Sequence, residues 1–320
     1  MSFGVSRLHC GHSVDALMKF NTINDFERND DYKDMKTQMK IDKVMVYTPD
    51  RIVRQGFWDG WKEMFSGLSQ SRELIWRLFV RDFRAKYRQS ILGVSWAILN
   101  PILIVGVFVF LNRSGILIIE DTKVPYPVFA LLGISLYGIF SAGLSAATNS
   151  IIGAGLMITK INFPKISLVI SSFGQALVEF AVRLIFVAIV FFLFHIVPPL
   201  SALLFPLSLI PLLLLTLGFG LLLSLLSCIF RDTLHVVSLF TTFLLFISPV
   251  LYPSPKTGPF VILNSWNPVG YLIIGCRDIL LTGTLSNRAG FLWTSFFSIL
   301  VFFVSWRIFY IAETRIAERV

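Results

Sequence analysis

Apolar and polar positions follow two different patterns along the chain, and the change falls near residue 90. In "SRELIWRLFVRDFRAKYRQS" the period is helical: Trp76, Phe79, Val80, Phe83 and Tyr87 share one stripe, and Arg77, Arg81, Arg84 and Arg88 share another. An aromatic apolar face with a basic flank suits a helix lying in the headgroup plane. A helix packed on a membrane body with its arginines in water has the same pattern, and one helix can do both. The piece before it, residues 57–70, reads as a short amphipathic segment broken at Gly67. Together residues 57–90 form an amphipathic interface region. Residues 1–56 mix both charge signs without sustained periodicity and read as a hydrated, flexible cytoplasmic extension with no assigned chemistry. No secretory leader is read there, because residues 1–60 hold no apolar run of the right kind.

After residue 90 the pattern becomes one of long uncharged runs, several beyond the roughly 18 residues that mark a membrane span. Arg88 to Arg113 encloses 24 uncharged residues, which predicts a first span at 91–111. Lys123 to Lys160 encloses 36, enough for a second span at 127–149 and a compact elbow punctuated by Gly and Pro. A third span, 166–194, is interrupted only by Glu179 and Arg183. His195 and Pro198–Pro199 then turn the chain into a fourth span, 202–229, closed by Phe230-Arg231-Asp232, and a fifth follows at 236–252. Residues 257–276 are uncharged as well, but Gly258, Pro259, Asn264, Asn267, Pro268 and Gly270 would strand backbone groups in a lipid-exposed helix. Broken backbone at membrane depth is tolerated only inside protein or beside a wet cavity. Residues 257–283 are therefore expected to form a re-entrant helical hairpin bending near Trp266–Pro268, with a sixth span at 289–306. The membrane domain covers 91–312 and a cytoplasmic tail 313–320.

Charge decides between six and seven spans. With six and both termini cytoplasmic, the basic residues from 72 onward divide into twelve inside and five outside, with Arg183 within the membrane, the bias expected of membrane proteins. The outside set includes Lys123, Lys256 and Arg277; a seventh pass would weaken the bias. Composition agrees: 55% of the 320 residues are hydrophobic and 15% charged, against about a quarter charged in ordinary soluble domains. Mean hydropathy is +0.74. The expectation is an all-α polytopic membrane protein. The net charge of +9 needs no nucleic acid, since a basic cluster just before the first span serves topology and anionic headgroups. Cys10, Cys228 and Cys276 are too scattered for a disulfide framework, and no Cys/His spacing predicts a metal site.

Candidate chemistry is sparse. Asp232, Asp278 and Glu179 are isolated and assemble no acid–base centre, which argues against a membrane glycosyl- or acyltransferase. No GxxxxGK[ST] loop occurs, so any use of ATP must come from another chain. A secondary transporter usually shows corresponding broken helices in its two halves; here only one late segment is broken.

From about Tyr47 onward the chain resembles the transmembrane subunit of an ABC-2 type transporter, and in particular the exporters of polysaccharides such as O-antigens and teichoic acids. The resemblance rests on "RDFRAKYRQSILGVSWAILNP" at 81–101, "KINFPK" at 160–165, "FRD" at 230–232, "SPVLYPSP" at 248–255 and "NPVGYLIIGCRDILLTG" at 267–283. It implies a homodimer paired with two copies of a separate ATPase that binds ATP and Mg2+, with no cofactor on this chain. It also implies a lipid-linked glycan cargo. Lys160, Ile161, Asn162, Phe163, Pro164 and Lys165 match a first ATPase-coupling elbow, and Phe230, Arg231 and Asp232 a second. The plainer reading of the elbow is a turn whose lysines follow the inside rule.

Arg81, Arg84, Lys86 and Arg88 are candidates for the cargo's phosphate headgroup, with ordinary anionic lipid as the competing ligand. Glu179 and Arg183 form either a polar strip along the path or a pair tying the third span to a neighbour. Trp96, Tyr126, Tyr252, Trp266 and Tyr271 could stack on sugar faces or mark the membrane interfaces. Capsule exporters of a related branch carry an acidic feature after the fifth span; here that stretch reads "SPKTGP", which leans toward O-antigen or teichoic-type cargo. A lipid or drug cargo is the alternative within the same fold.

Overall fold

The computed structural model describes residues 57–316 apart from 89, 92, 116–121, 123, 156, 161–162 and 255–257. The predicted extension 1–56, the end of the tail, Ile161, Asn162, Lys123 and Lys256 lie outside the described residues, as does the Lys160 side chain. Among the described residues the fold is all helical. In chain order the α-helices are α1 (Phe57–Gln70), α2 (Arg72–Tyr87), α3 (Trp96–Arg113), α4 (Tyr126–Ala154), α5 (Met157–Lys160), α6 (Ile166–Leu193), α7 (Phe205–Ile229), α8 (Thr233–Ile247), α9 (Pro259–Ser265), α10 (Pro268–Leu281) and α11 (Arg288–Ile316).

Five of these helical segments are long and apolar enough to cross a membrane: α3, α4, α6, α7 with the short 3-10 turn before it, and α11. Their positions follow the uncharged runs, with shifted ends. The first begins at Trp96 rather than 91, because Gly93 adopts a positive φ of 51° and turns the chain out of α2. The second continues to Ala154, past the predicted 149, until Gly155 stops it. The predicted fifth span departs most. Helix α8 ends at Ile247 after 15 residues, about 22 Å at 1.5 Å per residue, against a hydrocarbon core of about 30 Å. Ser248 and Pro249 end it, and the Ser248 hydroxyl accepts a 2.7 Å bond from the Asn267 side chain. Residues 248–252, expected to be helical, instead form a buried turn.

Helix α1 is also unbroken at Gly67: it runs to Gln70, and the Ser71 hydroxyl donates to the Gly67 carbonyl at 2.8 Å. In the hairpin region the interruption falls at Trp266–Asn267, where the Asn267 side chain accepts from the Val269 and Gly270 amides and caps α10.

Helix α4 is central. In its most apolar stretch 78% of residues are buried, against 17% for α3 and 22% for α6 and α11. It packs chiefly on α6 and α7, and α7 in turn on α11. Two cores divide along its length. In one, Leu132, Leu136 and Phe140 meet Leu212 and Leu215 of α7, Leu272 of α10 and Val250. In the other, Ala147 and Ile151 meet Leu168 of α6, Leu221 of α7, Phe309 of α11, Leu78 of α2 and Met64 of α1. Small polar residues inside the bundle bond to their own helix, as Ser135 does to Leu131 and Thr216 to Leu212, each at 2.7 Å. That leaves few polar groups needing a partner at membrane depth.

Candidate functional site

Helix α2 lies along α6, and its sequence explains the contact. Spacings of three and four residues bring Trp76 against Phe79, stack Phe79 on Phe83 and set Phe83 edge-on to Tyr87, with ring centroids 5.4, 5.7 and 4.9 Å apart. Phe79 rests over Gly174 of α6, where even a methyl group would stand 3.1 Å from the ring. The arginine stripe faces outward. Arg77 pairs with Glu73 at 2.6 Å, both well exposed. Arg81 bonds Asp82 at 2.7 Å and donates to the Met157 sulfur at 3.0 Å. Among the described residues Arg84 and Arg88 have no ion-pair partner. With Trp76, Arg77, Val80 and Arg81 they line an open groove of about 770 Å³.

Beneath α2 sits a charged knot. Glu179 of α6 accepts from the Lys86 ammonium at 2.5 Å and from the Tyr87 hydroxyl at 3.0 Å, both on one carboxylate oxygen. Its other oxygen is 3.7 Å from the Arg183 guanidinium. Arg183 donates from Nε to the Ala97 carbonyl of α3 at 3.1 Å. Its guanidinium lies against Gly138 of α4, and any side chain there would collide with it. One carboxylate thus joins α2 to α6, and the arginine four residues on reaches α3 and α4. The i,i+4 relation of Glu179 and Arg183 was legible in the sequence. The reach to Lys86 and Tyr87 was not, and Lys86 is held by Glu179 rather than freely presented to a ligand. Burial, then the neighbouring Glu179 carboxylate, pushes the Tyr87 phenol up to about 12, so it stays a hydrogen-bond donor at neutral pH.

The two segments expected to contact an ATPase differ. Phe163 is half-buried against the second core, beside Met157 and Ile158. Lys165 was expected to flank Phe163 at the elbow. It is only 9% exposed: its amide donates to a Glu313 carboxylate oxygen at 2.5 Å and its ammonium to the Glu313 carbonyl at 3.1 Å. It therefore ties the elbow to the end of α11. Phe230, Arg231 and Asp232 all stand exposed, Phe230 by 61%. Helix α1 adds an aromatic cluster at the same end, with Trp61 and Phe65 edge-on to Trp306 of α11 at 6.0 and 4.7 Å.

The aromatics proposed along a path sit in different settings. Trp96 and Trp266 are exposed. Tyr126 donates to the Leu251 carbonyl at 3.0 Å, and Tyr252 to the Ile247 carbonyl at 2.6 Å, closing the C-terminus of α8. Tyr271 packs on Gly290 of α11. The hydroxyls of Tyr126 and Tyr252 thus hold the 248–252 turn.

Arg277, counted among the outside basic residues and placed in the re-entrant hairpin, is buried in α10. It is 4% exposed, its guanidinium lies 3.7 Å from the centre of the Phe129 ring, and Nη1 donates to the Pro249 and Val250 carbonyls at 3.3 Å each. Sequence reasoning placed it by charge alone. The available signal was the uncharged stretch before it, which continues helically from Pro268 through Arg277. Among the described residues no three His, Cys, Asp or Glu side chains gather as a metal site would need.

Long apolar helices around a buried central one, with a basic amphipathic helix held against them, define a multi-pass membrane protein of the permease class. Residues 73–281 match the ABC-2 type transporter family, and the chain belongs to that family. It is similar to the O-antigen export system permease protein RfbA of Klebsiella pneumoniae, 26% identical over 64% of this chain and 79% of that protein. The protein of the same name from Myxococcus xanthus is 30% identical over 58% of this chain and 70% of its own length. The polysialic acid transport protein KpsM of Escherichia coli is 23% identical over 75% of this chain and 93% of its own length.

Proposed function

We propose that the chain is the membrane-spanning subunit of an ATP-driven exporter that carries a lipid-linked, O-antigen-like polysaccharide across the inner membrane. The observation that carries this reading is family membership over 73–281 together with the relatives named for O-antigen export, which match at 25–30% identity against 23% for the polysialic acid transporter. The missing acid in "SPKTGP" favours the same cargo.

In this reading six passes are made by α3, α4, α6, α7, α8 and α11, with both termini cytoplasmic. Helix α8 is short, and the re-entrant α9–α10 hairpin completes that crossing. Support comes from the broken backbone at Trp266–Asn267 and from the buried turn to which Asn267 is bonded. Two copies of the chain pair, and two ATPase subunits seat on the elbow around Phe163 and on Phe230–Asp232. Both segments belong to the end built on the second core, where α1 and α2 also lie, as a common docking face requires. A stiff connector transmits a nucleotide-driven closure better than a loose loop, and the bonds from Lys165 to Glu313 stiffen the elbow. The arginine groove on α2 holds the phosphate of the cargo.

Deleting the gene and inspecting the cell surface tests the proposal. Surface polysaccharide is expected to disappear while lipid-linked polymer accumulates inside, both reversed by complementation. Unchanged surface polysaccharide in a strain with no second exporter would overturn it.

A further inference from the structure

Apart from the arginine groove, a second cavity of about 380 Å³ opens on the other side of α2, where α2 meets the end of α4 and the start of α6. Its polar lining comes from Asp82, Asn149, Ser150, Ser172 and Gln175. Two cations, Arg81 and Lys86, border it, but each already faces a carboxylate: Arg81 that of Asp82 at 2.7 Å, Lys86 that of Glu179 at 2.5 Å. The field inside is therefore close to balanced, unlike that of the groove with its unpaired Arg84 and Arg88. Among the described residues the side chains of Asn149, Ser172 and Gln175 carry no hydrogen bond. Ser150 donates to the Ala147 carbonyl at 2.7 Å and keeps its lone pairs to accept. Side-chain amides and hydroxyls both donate and accept, as the hydroxyls of a sugar do. Small residues, Ala85, Ala146, Gly153 and Ala154, leave the room. The volume lies at the small end of small-molecule sites, which fits one ring and not a polymer.

We propose that this cavity is a binding site for a single neutral sugar unit. On the export reading, on which this identification of the cargo end rests, the unit is the one next to the phosphate. Arg81 and Ala85 line both the groove and the cavity, so a phosphate in one and the first sugar in the other would be neighbours across α2. The helix then reads the end common to every chain length: charge on one side, hydroxyl pattern on the other.

Binding is measured by saturation-transfer NMR on the purified full-length chain in nanodiscs, with a panel of methyl glycosides of common hexoses and N-acetylhexosamines as probes. At least one glycoside is expected to give a saturable signal. Gly153→Leu, in a helix with no positive φ and with Asn149 3.6 Å from the added Cβ, fills the cavity and should abolish that signal. Asn149→Ala with Gln175→Ala removes hydrogen bonds without filling space and should weaken binding at least roughly tenfold. Equal binding by wild type and both cavity variants, or no signal from any glycoside, overturns the proposal; the latter includes a second copy of the chain or a lipid headgroup filling the space. The measurement needs no ATPase and no export. Its failure therefore differs from that of the export reading, which the deletion phenotype decides.

Discussion

Arg183 and Arg277 both enter the apolar body of this protein, and they are satisfied in different ways. Arg183 has a carboxylate, Glu179, which it shares with Lys86 and Tyr87 of the amphipathic helix. Among the described residues Arg277 makes no ion pair; two backbone carbonyls and the Phe129 ring receive it. The first arrangement links separate helices through a network with one half-exposed member. The second locks a turn from within. A network that water reaches can rearrange at modest cost, whereas a buried charge on carbonyls has no alternative partner. The Arg183 network is thus suited to rearrangement and the Arg277 site to a rigid support.

The largest effect is expected at the rigid end. Arg277→Ala orphans the Pro249 and Val250 carbonyls and removes the contact with Phe129, a loss of roughly 2–5 kcal/mol. Thermal unfolding of the purified protein should show it, with residues 248–252 becoming sensitive to protease. Arg277→Lys keeps the charge but not the planar fork and should recover only part of the loss. Next comes Glu179→Gln, which leaves Lys86 and Arg183 without their anion. Lys86 is half in water and Arg183 keeps the Ala97 carbonyl, so the expected cost is smaller, about 1–2 kcal/mol. A double-mutant cycle with Lys86→Met should give a positive coupling energy; additivity would dissolve the network. Smallest in stability is Arg84→Glu with Arg88→Glu. Unfolding should shift by less than about 0.5 kcal/mol, while binding of the amphipathic helix to anionic vesicles falls steeply, each basic residue contributing about 1 kcal/mol near such a surface.

The contrast also shows what a sequence reveals. Uncharged runs located the long helices: the third span was predicted at 166–194 and α6 covers Ile166–Leu193. Local spacing gave the α2 stripes and the Glu179–Arg183 relation. What was hidden depended on distant partners. Counting apolar residues carried the fifth span on to 252, because nothing local tells that Ser248 is engaged by Asn267. Lys86 and Glu179 are 93 positions apart, and Lys165 and Glu313 are 148 apart. Arg277 was counted by charge among the outside residues of the hairpin, yet its guanidinium is buried between two backbone carbonyls and the Phe129 ring. The polar cavity was equally unreadable, since its lining comes from α2, α4 and α6 together.

Transport itself is measured most directly in inside-out membrane vesicles containing this chain and its partner ATPase. Radiolabelled lipid-linked polysaccharide is supplied on the outer, cytoplasmic-type face, and a glycosidase is then added outside. The account predicts that the polymer becomes protected from digestion only when the chain, the ATPase and ATP are all present. Equal protection in vesicles lacking the chain, or none in the complete system, would contradict it.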